Sequence, residues 1–90
     1  KIDLVGNALK AENFHYLCEF PKLERLELGR CSINAECLKN MGNCKTLNHL
    51  NVSFNPKVDD AAIKHLAGMK NIQHLDLVET AVTPKGLMQL

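Results

Sequence analysis

Ninety residues with a formal net charge of +1 fit one compact unit and argue against a general nucleic-acid or membrane-surface binder, which usually carries a basic excess. Hydrophobic residues make up 46% of the chain and aromatic residues only 4%, so the core is expected to consist of Leu, Ile and Val packed in thin layers. No apolar run approaches the roughly 18 residues that a membrane-spanning helix needs.

The apolar residues repeat about every 24 positions along the chain. One set consists of Leu23, Leu26, Leu28, Cys31 and Ile33, and later sets begin at Leu47 and Ile72. A partial set begins at Ile2. An internal period of this length is typical of a repeat array. We therefore predict a single array over residues 1–90, with units of about 1–22, 23–46, 47–71 and 72–90.

Each unit is predicted to contain a strand followed by a short helix. The segments LERLEL, LNHLNV and IQHLDL place apolar residues two apart, which is typical of a strand with one buried face. The second half of each unit changes to a spacing of about three, typical of one stripe of a helix. These stripes are Phe14, Leu17 and Phe20; Leu38, Met41 and Cys44; Ile63, Leu66 and Met69; and Leu87 and Leu90. Asp59 with Asp60, and Thr83 with Pro84, are residue types that open helices. The fold class is therefore α/β, with parallel strands side by side.

These residues resemble the leucine-rich repeat family. The pattern LxxLxLxx(N/C)x(L/I) is present as LERLELGRCSI, as LNHLNVSFN followed by Val58, and as IQHLDLVETAV. VTPKGLMQL and NCKTLNHLNV are similar to intracellular short-helix repeats and to the cysteine-containing repeats of F-box and other ubiquitin-ligase substrate receptors. The resemblance implies a solenoid of about three and a half 24-residue repeats, with strands on a concave face and helices on a convex face. Pro56 and Lys57 lengthen the third unit, and Thr80 replaces the usual Asn or Cys.

One column of polar residues, Asn7, Cys31, Asn55 and Thr80, follows the strands. In the family this side chain turns inward and bonds neighbouring backbone, so Cys31 is expected to be structural. Of the other cysteines, Cys44 is expected in the core and Cys18 as the exposed thiol. Two disulfides in a secreted protein are the alternative, but we favour four free thiols in a reducing compartment. An intracellular location follows, with the cytoplasm favoured and the mitochondrion left open.

The predicted concave face carries three columns of outward side chains. The candidate binding residues on it are Arg25, Glu27, His49, Asn51, Ser53, Phe54, His74, Asp76 and Val78. One interpretation is mutual pairing, as in Lys1 with Asp3, Arg25 with Glu27, and His74 with Asp76. The other is a polar strip that binds a protein or peptide, with Phe54 as an anchor. A metal site at His49, His74 and Asp76 is a weaker third alternative.

Function is expected to be non-enzymatic, because no pattern of catalytic residues stands out. We expect a protein or peptide partner within a multi-protein complex, and no cofactor, metal, nucleic acid or membrane. The resemblance implies substrate recognition in a ubiquitin-ligase complex. A structural or assembly factor within a larger complex, which could be mitochondrial, is the alternative. Lys1 starts in a strand and Leu90 ends in a helix without polar caps, so we expect a piece of a longer protein, or one whose ends are covered by a partner.

Overall fold

Four short parallel strands and four short helices alternate along the chain in a computed structural model that describes residues 1–7, 9–42 and 44–90. The elements are β1 (Ile2–Asp3), a 3₁₀ helix (Ala11–Glu19), β2 (Arg25–Glu27), α1 (Ala35–Lys39), β3 (His49–Asn51), α2 (Asp60–Lys64), β4 (His74–Asp76) and α3 (Pro84–Leu87). The strands form one sheet in the order β1-β2-β3-β4, as expected when each strand returns through a helix. Within the described ranges, none of the helices is long and apolar enough to cross a membrane.

The pairing register follows the sequence period. Leu26 pairs with Leu50, and Leu50 pairs with Leu75 across the next ladder. The first interval is 24 residues and the second is 25, and the extra position falls in the unit that contains Pro56 and Lys57. The insertion is therefore absorbed in the turn, and the strands keep their alignment.

The core lies between the sheet and the helices. The inward strand residues Leu26 and Leu50 have no exposed surface, and neither do the helix residues Leu38 and Ile63. The same cluster includes the buried thiols of Cys31 and Cys37 and a ring from Phe14. Burial of each large aliphatic side chain contributes about 1.5–3 kcal/mol, so neighbouring units stabilise one another mainly through this layer.

The three α-helices begin at capping side chains. Asn34, Asp59 and Thr83 each accept a hydrogen bond from the backbone N–H three residues later. Pro84 occupies the first turn of α3, where its missing N–H costs nothing. The helix starts predicted at Asp59 and at Thr83 are confirmed.

The first unit departs from the predicted helix. Its nine residues Ala11–Glu19 form a 3₁₀ helix, and Lys10 provides no capping side chain. Phe14 is buried, but Phe20 is 54% exposed, so its predicted place in the apolar stripe is wrong. Phe20 lies just past the helix in an extended conformation, which takes its ring out of line with the residues three and six positions before it.

The last unit also leaves apolar side chains open. Leu87 and Leu90 were expected in a buried stripe, but they are 47% and 57% exposed. Their equivalents Ile63 and Leu66 are buried, because a following unit covers them. No such unit covers α3 within the described residues.

Two of the four predicted free thiols are instead joined. Cys18 and Cys44 form a disulfide whose Cα atoms lie 4.5 Å apart, whereas Cys31 and Cys37 are free and buried. The expectations of four reduced cysteines and of an exposed Cys18 thiol are therefore wrong. The bond ties the 3₁₀ helix to the segment after α1, because the first unit brings Cys18 opposite the end of the second.

Candidate functional site

The open sheet face, which is the face predicted to be concave, carries two ladders of polar side chains. Three residues of each ladder pair in register across the sheet, and they are Arg25, His49 and His74 in one and Glu27, Asn51 and Asp76 in the other. The alignment predicted for these six residues is therefore correct. Arg25, His74 and Asp76 are exposed, whereas Glu27, His49 and Asn51 are half-buried.

Glu27 is the centre of a hydrogen-bonded cluster on this face. Its carboxylate accepts a hydrogen bond from Nδ2 of Asn51 at 2.8 Å and lies 3.3 Å from Nε2 of His49. The guanidinium of Arg25 approaches it at 3.9 Å, and the Arg25 side chain remains 52% exposed. The predicted pair of Arg25 with Glu27 is thus present, but at a distance typical of a weak surface contact. The Glu27 side chain is only 13% exposed, so it holds the face together more than it offers itself to a partner.

The predicted pairs of Lys1 with Asp3 and of His74 with Asp76 do not form. The carboxylates of Asp3 and Asp76 instead accept the backbone N–H groups two residues later, both at 3.1 Å. Asn51 does the same at 2.9 Å. Short Asp and Asn side chains make this local turn readily, whereas Glu27 is one carbon longer.

This second ladder therefore has a structural task that sequence reasoning missed. Asp3, Asn51 and Asp76 hold the chain as it leaves each strand, and Asp76 keeps an exposed charge while doing so. The signal was present in the sequence, because Asp or Asn precedes the exit of three of the four strands by the same spacing.

The third predicted column consists of Val5, Gly29, Ser53 and Val78, and its two middle residues are buried. Ser53 is 6% exposed and Gly29 is also buried, so the expectation that Ser53 faces a partner is wrong. The Ser53 hydroxyl lies close to Gly29, and the Ser53 carbonyl accepts hydrogen bonds from the N–H of Arg30 and from Nδ2 of Asn55. Val78, at 56%, remains open at the edge of the face.

Phe54 is an exposed aromatic at the strand exits, as predicted. It is 41% exposed, and the guanidinium of Arg30 lies 4.3 Å from the centre of its ring. A cation over an aromatic face contributes about 0.5–1 kcal/mol at an exposed site. Phe54 and Arg30 thus form one mixed aromatic and cationic surface beside Val78.

The backbone at this column is left-handed in every unit. Gly6, Arg30, Phe54 and Glu79 have φ angles of 82°, 56°, 56° and 56°. A non-glycine residue in this region costs roughly 1–2 kcal/mol, so the strand exit holds strain that the buried contacts offset. Sequence reasoning missed this geometry, although Gly6 was a signal for it.

The prediction of an inward polar column is confirmed at Cys31 and Asn55, whereas Asn7 is exposed and Thr80 is half-buried. Asn55 accepts the N–H groups of Cys31 and Ile33 at 2.9 and 3.1 Å, and its Nδ2 donates to the carbonyls of Leu28, Val52 and Ser53. The thiol of Cys31 donates to the carbonyl of Leu4 at 3.0 Å. Burial raises the pKa of the Cys31 thiol above its ordinary value, which keeps it protonated and favours a packing role.

The paired imidazoles were the basis of the metal alternative. The rings of His49 and His74 lie 5.7 Å apart, and His49 is turned toward Glu27. In the described part of the chain, no group of three or more His, Cys, Asp or Glu side chains could hold a metal ion. This face offers hydrogen bonds, charge and a small apolar edge.

Comparison with known protein families identifies one segment. Residues 43–67 match the family model described as "Leucine Rich repeat". The match over this segment supports the predicted resemblance to the leucine-rich repeat family. The matched segment contains β3, Asn55 and α2, and the same order of strand, inward polar residue and helix recurs on both sides of it. Leucine-rich repeat domains generally mediate protein–protein interaction. No match was found among curated proteins.

Proposed function

We propose that the chain is a non-enzymatic leucine-rich repeat module that binds a protein or peptide on its open sheet face. The observation that carries the proposal is the pair of polar ladders in register across β2, β3 and β4. Neighbouring strands lie about 4.8 Å apart, so an extended segment laid across them meets a new side chain at each strand.

The proposed contact residues fall into two groups, those held by hydrogen bonds to one another and those that are more exposed. Glu27, His49 and Asn51 are held in one cluster, so they provide a fixed floor. Arg25 and His74 are more exposed and are proposed to meet the partner directly, together with Asp76.

Phe54 and Val78 extend the proposed surface at the strand exits. Both are exposed, and the N–H of Phe54 donates to the carbonyl of Val78, which keeps them adjacent. An aromatic anchor beside a polar strip is a common composition for a binding surface. Ser53 is left out of the contact set because it is buried.

Substrate recognition in a ubiquitin-ligase complex is the finer role that we propose for this module. Its support is the similarity to cysteine-containing repeats, together with the structural role of Cys31 in the inward column. The role of a structural or assembly factor rests on the resemblance alone.

A charge-matched pair of double variants tests the binding face. Arg25→Ala with Asp76→Asn removes one cation and one anion from the open sheet face, and Asn keeps the acceptor for the N–H of Val78. Lys39→Ala with Glu36→Gln makes the same charge change on exposed residues of α1. We expect the first variant to lose the proteins that the wild type captures from cell extract, and the second to retain them.

Quantitative mass spectrometry of the captured proteins provides the measurement, and thermal unfolding checks that both variants are folded. Equal losses for the two variants, or no protein enriched over an unrelated bait, would contradict binding at the open sheet face.

A further inference from the structure

A depression opens on the sheet face where strands β2, β3 and β4 begin. It has a volume of about 340 Å³ and is lined by Arg25, Asn48, His49 and His74. Arg25, His49 and His74 are the first residues of their strands, and Asn48 directly precedes β3. Because the units of a repeat array stack along the sheet, further units would lie beside this face and would not cover the depression.

The side chains around this depression are hydrogen-bond donors. In the part of the chain that the structure describes, the side chains of Arg25, Asn48 and His74 make no hydrogen bond within the protein. A guanidinium can only donate, and its planar N–H groups match the two oxygens of a carboxylate or a phosphoryl group. Lys1 stands next to Arg25 in the same row, because β1 pairs in register with β2. The depression thus presents donors and positive charge to a partner.

The carboxylates of the neighbouring ladder do not neutralise this row. Asp3 and Asp76 accept the backbone N–H groups two residues later, which holds their carboxylates at the strand exits. Glu27 reaches toward the strand entries, but its side chain is only 13% exposed, and its carboxylate already contacts Asn51 at 2.8 Å and His49 at 3.3 Å. The open sheet face is therefore divided, with donors at the strand entries and carboxylates at the strand exits.

We infer that this depression binds the oxyanion of an acidic side chain, a carboxylate or a phosphoryl group, carried by an extended segment of a partner protein. The inference rests on the proposed function and narrows it, because the segment lies on the open sheet face. Arg25 holds the oxyanion with two parallel N–H groups, and Asn48 and His74 donate beside it. Glu27 fixes His49 from below and leaves the depression itself free of a competing carboxylate.

The charge of the row decides against a basic side chain at this place. A lysine or arginine of a partner would meet the Arg25 guanidinium, and the nearest carboxylate, that of Glu27, is largely covered. A neutral segment could accept these hydrogen bonds through its carbonyl groups, but hydrogen bonds between ionised groups are shorter and stronger than those with neutral ones. The partner is therefore expected to show a preference for acidic residues that its backbone alone would not produce.

Selection from a library of short random peptides displayed on phage measures this preference. We expect the peptides retained by the chain to be enriched in Asp and Glu over the unselected library. A synthetic peptide of the selected sequence then gives three matched probes, with Glu, Gln or phosphoserine at the enriched position. Fluorescence anisotropy should show that the Gln peptide binds at least about tenfold more weakly than the Glu peptide, as expected for a hydrogen bond to a charged group. The ratio between the Glu and phosphoserine peptides identifies the preferred oxyanion.

Two double variants place the effect on the molecule. Arg25→Gln with His74→Gln removes a cation and an imidazole from the depression but keeps polar side chains there. Lys64→Gln with His15→Gln makes the same change on exposed residues of α2 and of the 3₁₀ helix. The first variant should bind the Glu peptide about tenfold or more weakly and should no longer distinguish it from the Gln peptide, whereas the second should behave like the wild type. Circular dichroism checks that both are folded.

The outcomes separate this inference from the proposed function. Selected peptides without acidic enrichment, whose binding is still lost in Arg25→Gln with His74→Gln, would overturn the oxyanion site and leave the binding face in place. Equal losses in the two double variants would also overturn the site, because the preference would then come from overall charge. A chain that retains no peptide from the library would contradict both.

Discussion

Asn55 is the residue at which two units are most directly joined. Its buried amide satisfies two N–H groups of the preceding turn and three carbonyls. The backbone turn around Asn55 is buried, so these N–H and C=O groups cannot form hydrogen bonds with water if the amide is removed. Asn55 directly precedes Pro56 and Lys57, so the insertion follows the inward residue and leaves its contacts intact.

Asn55→Ala should therefore destabilise the protein by about 3 kcal/mol or more, because several buried polar groups lose their only side-chain partner. Asn7→Ala is the matched control, since Asn7 occupies the same column but is exposed and bonds only its own turn. We expect the control to cost no more than about 1 kcal/mol. Urea unfolding followed by circular dichroism gives both values, and equal losses would contradict the joining role of Asn55.

At the scale of elements, α2 and α3 are linked by a contact that the apolar pattern does not show. The carboxylate of Asp60 accepts hydrogen bonds from the hydroxyl and the backbone N–H of Thr83, which also caps α3. Nε2 of Gln89 donates to the carbonyl of Asp60 at 3.2 Å. Gly86 lies so close to the Asp60 carboxylate that a side chain there would collide with it. The start of one helix is therefore set by the side chain of the helix before it.

This contact predicts an acid-sensitive component of stability. The hydrogen bonds from Thr83 hold the pKa of Asp60 below its ordinary value, so the folded state binds this proton less tightly than the unfolded state. The stabilisation is present above the unfolded pKa and is lost as the pH falls through the lower folded pKa. The change in unfolding midpoint between about pH 6 and about pH 3 should be smaller in Asp60→Asn than in the wild type.

Substitutions of the donor give the control for this effect. Thr83→Val removes the hydroxyl and should also reduce the change between the two pH values, whereas Thr83→Ser keeps the hydroxyl and should preserve it. If the unfolding midpoint of Asp60→Asn changed with pH as that of the wild type does, the Asp60 carboxylate would not be the source of the acid-sensitive stability.

Some of the observed elements could be predicted from the sequence and others could not. The strand columns and the starts of α2 and α3 follow from local periodicity and capping chemistry, which neighbouring units reinforce. The Glu27 cluster could not be predicted, because it depends on which of several donors on adjacent strands its longer side chain reaches. The pairing of Cys18 with Cys44 was missed because the repeat frame assigned them to different columns, and the first unit departs from that frame.

For the molecule as a whole, stability is expected to come from contacts between units together with one covalent link. The strands have only two or three residues, so a single unit buries too little apolar surface to fold alone. The first unit has the weakest local structure, with an uncapped 3₁₀ helix and, among its described apolar residues, only Phe14 fully buried. The Cys18–Cys44 disulfide attaches that unit to the second one.

The disulfide leads to a prediction about the stability of the 90-residue chain. It closes a loop between residues 26 apart in sequence, so its removal should lower the free energy of unfolding by about 3 kcal/mol through the freed unfolded state. Dithiothreitol should reduce the urea midpoint of the wild type and leave that of Cys18→Ser with Cys44→Ser unchanged. Alkylation of the unfolded protein without reductant should modify only Cys31 and Cys37, as mass spectrometry of peptides can show. Modification of all four cysteines under those conditions, with a midpoint indifferent to reductant, would mean that the first unit is held by packing alone.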